Sequence, residues 1–276
     1  MEKFQLSILF KIIGIGSASG LLYQNDLLYI ISDNSTFLYE YSLAEQHLKK
    51  IALVDYPEYN IAKADKPDFE AITGREGTIF IAGSGSTEKR QLAYRYNKEL
   101  GKKEKIDQTE LYRKIKHQLN FKDGELNIEG FIFHKKYLYL FQRGNGSEGK
   151  NGIISVYNDR YQSEIGFTLI DLPKIKNVPA TFTDAILVDD KIYFLACAED
   201  TTSTYLDGEI MGSMIGTIDL KTMKLEKCIE ISDKHKFEGL TLYTKSASEI
   251  EFLLCEDADS EIMETNIFKL VIDKTQ

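Results

Sequence analysis

Five times along this 276-residue chain an acid or hydroxyl residue stands immediately before a small residue and an apolar run. The copies are Ser19-Gly20-Leu21-Leu22, Glu70-Ala71-Ile72, Glu129-Gly130-Phe131-Ile132, Asp184-Ala185-Ile186-Leu187 and Glu238-Gly239-Leu240. Such oxygen-bearing side chains at the start of apolar strands have one obvious chemistry if they meet. Carboxylates about 5 Å apart in a partly dehydrated place repel by kilocalories each, so they must protonate, pair with cations or bind a metal. A donor set of oxygens alone suits a hard divalent cation. Five side chains completed by waters match the six to eight ligands of Ca²⁺ better than the octahedron of Mg²⁺. Ser19, Glu70, Glu129, Asp184 and Glu238 are therefore candidate ligands of Ca²⁺ or another divalent cation. The competing reading is that backbone amides, lysines or arginines compensate these carboxylates and no ion is held. The fourth copy also has two registers, because aligning Phe182 with Phe69 and Phe237 brings Thr183, not Asp184, to the ligand position.

For five such residues to meet, the elements carrying them must be equivalent and arranged in a ring. The copies are separated by 51 to 59 residues, and the remainder counted through both termini is 57, so the repeat fills the chain. Each copy is followed by a short polar turn and a second apolar strand, as in Gln24-Asn25-Asp26 before Leu27 to Ile31 and Asp189-Asp190-Lys191 before Ile192 to Cys197. This is hairpin grammar. A third, aromatic-rich alternating strand follows each time, from Phe37, Leu92, Ile153, Ile215 and Ile267. A fourth begins near Lys50, Lys103, Gly166 and Leu225. The fifth repeat runs out of chain before its fourth strand, and the alternating segment from about residue 4 to residue 12 supplies it. The expected fold is all-β: a five-bladed β-propeller of four-stranded blades over residues 1–276 as a single domain, closed by the N-terminal strand so that no long edge stays open. A sandwich does not explain the equal spacings, and the repeat of a β-helix is much shorter. One helix is expected between blades two and three, with Asp107 as N-cap, Glu110 completing a capping box, and Leu111, Ile115 and Leu119 on one face.

In that architecture the loops entering the inner strands and those leaving the second strands share one face. They carry further candidates. Lys66 lies in the stretch from Asp55 to Pro67, Gly83-Ser84-Gly85-Ser86 and Lys89-Arg90 follow in blade two, and Gln142-Arg143-Gly144-Asn145-Gly146 in blade three. Lys234-His235 and Glu256-Asp257 come from blade five, while Asp33 and Glu199 stand at equivalent points of blades one and four. In a metal-assisted hydrolase of a small phosphate or other ester, a channel cation polarises the bound oxygen. Arg143 and Lys66 then neutralise developing negative charge, and Glu256 or Asp33 serves as base. Arg143 has a second reading, as the counter-charge of the acidic ring. No nucleophile elbow and no ordered Ser/His/Asp set is present, and no Walker A loop. The alternative to a hydrolase is a non-catalytic platform whose ion staples the blades.

The five-blade plan, with a Ser and several Glu at the start of inner strands, resembles the calcium-activated nucleotidase (apyrase) family. That resemblance implies a Ca²⁺ in the channel held by such residues. Asn127-Ile128-Glu129-Gly130 and Phe237-Glu238-Gly239 also resemble esterase-like, phytase-like and bacterial propellers. The likeness covers repeat plan and ion ligands, and the longer signatures of the nucleotidases are absent from this sequence.

Composition limits the partners. A net charge of -9, from 34 basic and 43 acidic side chains, opposes nucleic acid and anionic membranes, and leaves a small anionic ligand on the loop face as the expected partner. No stretch approaches the roughly 18 apolar residues of a membrane-spanning helix. The start of the chain reads as a strand rather than an export signal, because Gln5 and Ser7 alternate with Leu6 and Ile8 before Lys11. Cys197, Cys228 and Cys255 are odd in number, without metal-ligand spacing, and suit buried thiols in a reducing compartment. A cytoplasmic setting is expected.

Overall fold

The computed structural model describes residues 4–159, 162–201, 203, 208–257 and 262–274. Five antiparallel sheets form the five blades of a propeller. Blade one consists of β2 (Ala18–Gln24), β3 (Leu27–Ser32), β4 (Phe37–Ser42) and β5 (His47–Ala52). Blade two follows with β6 (Phe69–Arg75), β7 (Thr78–Gly83), β8 (Leu92–Asn97) and β9 (Lys102–Asp107), then α1 (Thr109–Leu119). Blade three is β10 (Ile128–His134), β11 (Tyr137–Gln142), β12 (Gly152–Asp159) and β13 (Gln162–Leu169). Blade four adds a two-residue strand, β14 (Lys174–Ile175), to β15 (Val178–Val188), β16 (Lys191–Asp200), β17 (Glu209–Asp219) and β18 (Leu225–Ser232). Blade five contains β19 (Phe237–Lys245), β20 (Glu249–Glu256) and β21 (Glu264–Asp273). Its fourth strand is β1 (Phe4–Ile13), which pairs with β21 and joins the two ends of the chain.

The inner strands touch in the order β2, β6, β10, β15, β19 and back to β2, which is the ring the spacing predicts. Each gap between neighbouring blades holds its own apolar core, because a four-stranded sheet has two faces and each must be covered by the next blade. Leu21, Tyr39 and Leu253 fill the gap between blades five and one, and Phe141, Phe182 and Phe194 the gap between three and four. The helix lies over the seam of blades two and three, where Tyr112 and Ile115 pack with Phe131 and Leu140. Its start differs from the expected capping box: Asp107 Oδ1 accepts from Thr109 N at 2.8 Å, and Glu110 turns away to a two-bond pair with Arg113. A partner three residues along, on the exposed face, competes successfully for the glutamate. No helix among the described residues is long and apolar enough to cross a membrane.

The recurring small residue has a steric cause. A Cβ on Gly239 would sit 2.5 Å from Cys255 Sγ and 3.0 Å from the backbone nitrogen of Leu21, while one on Gly130 would meet the nitrogen of Ala185 at 3.0 Å. Inner strands of adjacent blades approach too closely there for a larger side chain. The one blade that breaks the rule, with Asp184, is considered below.

Candidate channel mouth

Every inner strand slips register by one residue near its start, between Ala18 and Gly20, Phe69 and Ala71, Ile128 and Gly130, Phe182 and Asp184, and Phe237 and Gly239. A β-bulge leaves one residue without a ladder partner and re-aims it. The bulged residues are Ser19, Glu70, Glu129, Thr183 and Glu238, so Thr183 holds the ring position in blade four. Asp184 occupies the place taken by Gly20, Ala71, Gly130 and Gly239. Its carboxylate fills the gap to blade five, where Oδ1 accepts from Ala185 N and Oδ2 from Leu240 N, both at 2.7 Å. Burial pushes its pKa well above the usual carboxylate range despite these two amides, with Glu129 and Glu238 adding to the rise. The two hydroxyls of the ring also tie blades together. Ser19 Oγ donates to Phe69 O at 2.5 Å and Thr183 Oγ1 to Phe237 O at 2.6 Å, in each case the next blade.

The mouth is completed by two further sets of equivalent residues. Two positions before the bulges stand Ser17, Asp68, Asn127, Thr181 and Lys236. At equivalent points of the second-strand side stand Asp33, Ser84, Arg143, Cys197 and Asp257; in blade four this is Cys197, inside the longer β16, and not Glu199, which lies two residues farther along. Backbone bonds join the sets, from Asp33 N to Ser17 O, Ser84 N to Asp68 O, Arg143 N to Asn127 O and Asp257 N to Lys236 O. Asp257, not Glu256, therefore takes the blade-five position. Glu256 is held by His235 Nδ1 at 2.5 Å, on a ring packed against Phe237 and Phe268.

Charge compensation runs unevenly round this mouth. In blades three and four the Arg143 guanidinium bridges Glu129, at 3.3 Å, and Glu199, while Asn127 Nδ2 donates to Glu129 Oε1 at 2.7 Å. In blade five Lys236 pairs with Glu238 at 2.9 Å and lies 3.9 Å from Asp257. In blades one and two Lys66 binds Asp33 and, at 3.0 Å, Asp68, whose other oxygen takes Arg90 at 2.8 Å. Ser84 also donates to Asp68. Glu70 is different: among the described residues it forms no hydrogen bond or ion pair. Burial drives its pKa well above the usual range, and Asp68, Glu129, Glu238 and Asp33 push the same way. Glu238 is raised to about 8 by burial against the pull of Lys236, and Asp33 to about 6 by burial against the pull of Lys66. Oxygens of Asp33, Asp68 and Glu70 lie within 4.8 Å of one another, a spacing at which one cation can touch all three. Asp33 Oδ1 is buried and has no partner among the described residues.

Of the sequence candidates, Glu70, Glu129, Glu238, Asp33, Lys66 and Arg143 surround the mouth. Ser19 is on the ring as an inter-blade tie, Asp184 lies in a blade seam, and Glu256 sits beside the mouth with His235. The glycine turn around Arg143 is packing: a Cβ on Gly144 would fall 2.2 Å from Asn151 N, and one on Gly146 2.4 Å from Glu125 Oε2. Asp68 and Lys236 escaped the sequence reading. Their signal was a polar residue two positions before each ring residue, which in these two blades ends the loop entering the inner strand.

The family profile that this sequence matches spans residues 14–272. The chain belongs to the DUF6929 family, a family of unknown function. No protein with a curated description matches the DUF6929 chain. Its fold is similar to that of Myxococcus xanthus glutaminyl cyclase, with 10% identity over 97% of each chain and a TM-score of 0.52. It is similar too to a luciferin-regenerating enzyme, at 10% identity over 97% of this chain and 95% of that one, TM-score 0.52. The Malassezia sympodialis allergen Mala s 1 shares 8% identity over 94% of this chain and 95% of its own, TM-score 0.53. At such identities the likeness concerns the fold, and it joins the DUF6929 propeller to enzymes and to an allergen alike.

Proposed function

We propose that this protein is a divalent-cation-binding propeller, with Asp33, Asp68 and Glu70 as carboxylate ligands and Glu129 and Glu238 alongside. The observation that carries this reading is Glu70, a buried carboxylate with no bonded partner among four other acids. Neither protonation at neutral pH nor any fixed cation disposes of that repulsion as well as a doubly charged ion does. An all-oxygen donor set of mixed geometry favours Ca²⁺, or another hard divalent, and accords with the resemblance to the calcium-activated nucleotidases. The mouth's own cations are engaged in internal ion pairs, so an anionic ligand would be held chiefly through the ion.

On this reading the chain is a metal-assisted hydrolase of a small phosphate or other ester. The bound ion would supply Lewis acidity toward the ligand's oxygen. Asp33 would serve as base, its unpartnered Oδ1 placed to take a proton from water. Lys66 ties Asp33 to Asp68 before an ion enters, while Arg143 on Glu129 and Arg90 on Asp68 offset part of the acidic charge throughout. One observation favours the alternative of a structural ion in a non-catalytic binding propeller. Glu256, the other candidate base, is tied to His235.

Calorimetric titration with CaCl₂, MnCl₂ and MgCl₂, alongside a thermal midpoint in chelator and in excess metal, tests the reading. Binding raises the midpoint, since a ligand of the native state stabilises it. Turnover of nucleotides, phosphomonoesters or lactones in the metal-loaded protein separates the hydrolase from the platform. A protein that binds none of the three ions loses both.

A further inference from the structure

Lys66 sits at the end of a long loop between β5 and β6 that is pinned to blade one. Thr36 N donates to Glu58 O at 3.0 Å, Ile61 N to Asn34 O at 2.9 Å, and Asp68 N to Asp33 O at 2.9 Å. Its end is tied to blade two as well, where Lys89 donates to Ala64 O and Asp65 and Arg90 to Lys63 O, while Tyr56 and Tyr59 are exposed. The Lys66 side chain, only 13% exposed, returns from it into the acidic triad and binds Asp33 Oδ2 and Asp68 Oδ1. The triad thus already contains a tethered, singly charged ammonium, besides the Arg90 guanidinium on the other oxygen of Asp68. It does not fill the site. Asp33 Oδ1 stays buried without a partner, and Glu70 gains no bond from it.

Resting on the cation-binding reading, we infer that Lys66 is the selectivity element of the triad: its ammonium holds the cation position, and a metal ion enters only by expelling it. Exchange for a divalent ion adds one unit of positive charge among Asp33, Asp68 and Glu70 and returns the ammonium to water. Exchange for Na⁺ or K⁺ adds no charge and gives up the advantage of a cation already tethered in place. The triad is therefore closed to monovalent ions and open to divalent ones. The apparent affinity for a divalent ion is lowered by the fraction of molecules in which Lys66 is seated. Expulsion moves the ammonium out of the mouth while Lys89 and Arg90 keep the loop itself in place, so metal entry and access of a ligand are linked through one side chain.

The test compares wild type with Lys66→Met and Lys66→Gln, both checked for native circular dichroism, and with Lys66→Arg, which keeps a cation in place. CaCl₂ binding is read by calorimetry, and acetylation of Lys66 in the wild type by mass spectrometry with and without saturating CaCl₂. The expected result is about 10- to 100-fold tighter calcium binding in the Met and Gln variants and no gain in the Arg variant. Lys66, protected in chelator, should become reactive when calcium is added. Should wild type bind calcium while the neutral variants bind no tighter and Lys66 labelling stays constant, the inference is overturned and the cation reading survives. Calcium binding by the neutral variants alone would support the seated ammonium and defeat the cation reading for the native chain. Binding by none of the four proteins removes both.

Discussion

Replacing Glu70 by glutamine removes a charge and keeps the shape, and the expected effect changes sign with the metal. Triad oxygens within 4.8 Å of one another repel, if fully charged and in an effective dielectric near 20, by about 3 kcal/mol per pair. Lys66 offsets part of this. The native protein can also evade the rest by placing a proton on Glu70, at about 1.4 kcal/mol for each pH unit above the intrinsic range. A net gain of about 1–3 kcal/mol is therefore expected for Glu70→Gln at pH 8 in chelator, and about 2–4 °C in thermal midpoint for each kcal/mol. At pH 5 the gain should shrink, because the raised pKa leaves wild-type Glu70 carrying a proton there. In excess CaCl₂ the order reverses: wild type keeps a charged ligand that glutamine lacks, and the calcium-induced rise in midpoint should be larger in wild type. Differential scanning fluorimetry at the two pH values, each with chelator and with calcium, gives all four numbers. A variant that melts below wild type in chelator at pH 8, or that keeps the full calcium-induced rise, would refute the assignment of Glu70 as an uncompensated ligand.

Asp184→Ala should cost about 2–4 kcal/mol in urea unfolding, since two buried amides lose their acceptor, and leave calcium affinity unchanged; a tenfold loss of affinity at preserved stability would return Asp184 to the ligand set. Glu238 predicts a pH dependence of stability. Its native pKa of about 8 lies above the unfolded value near 4.5, so its contribution is complete below pH 4.5 and lost as pH rises through 8. Its partner Lys236 is shifted above the ordinary lysine range and does not titrate in this window. In chelator the midpoint should fall between pH 5 and pH 8, by no more than about 1.4 kcal/mol per unit for this one group, and calcium should flatten the slope; a midpoint that is level in chelator across that range contradicts it.

The blade plan was legible because the bulge writes a local mark into the sequence. An acid or hydroxyl, a residue small enough for the neighbouring inner strand, and an apolar run must coincide wherever five strands crowd one axis. The N-terminal strand was legible by subtraction, since a fifth blade short of a strand leaves a sheet edge that only residues near the other terminus can cover. Blade four shows where this reading stops. Both Thr183 and Asp184 are oxygen-bearing, and residue type alone does not distinguish a side chain aimed down the axis from one that accepts two amides in a blade seam. The decision rests on the register slip after Phe182, a property of strand pairing.

Compensation was the other part that spacing hides, and it bears most directly on function. Four acids on a ring look equivalent in sequence, yet their surroundings divide them. Glu129 is met by Arg143 from its own blade and by Asn127, and Glu238 by Lys236 two residues before it. Glu70 has Asp68 at the position where blade five places Lys236, so the place that neutralises one glutamate sets a second acid near the other. That exchange of lysine for aspartate leaves Glu70 without the bonded cation that Glu238 has. Two cations reach the acids there, Arg90 on Asp68 and, from the end of a loop, Lys66 on both Asp33 and Asp68. A five-fold plan thus yields an uneven mouth, and which glutamate is left without a bonded partner is set by residue 68 rather than by the ring itself.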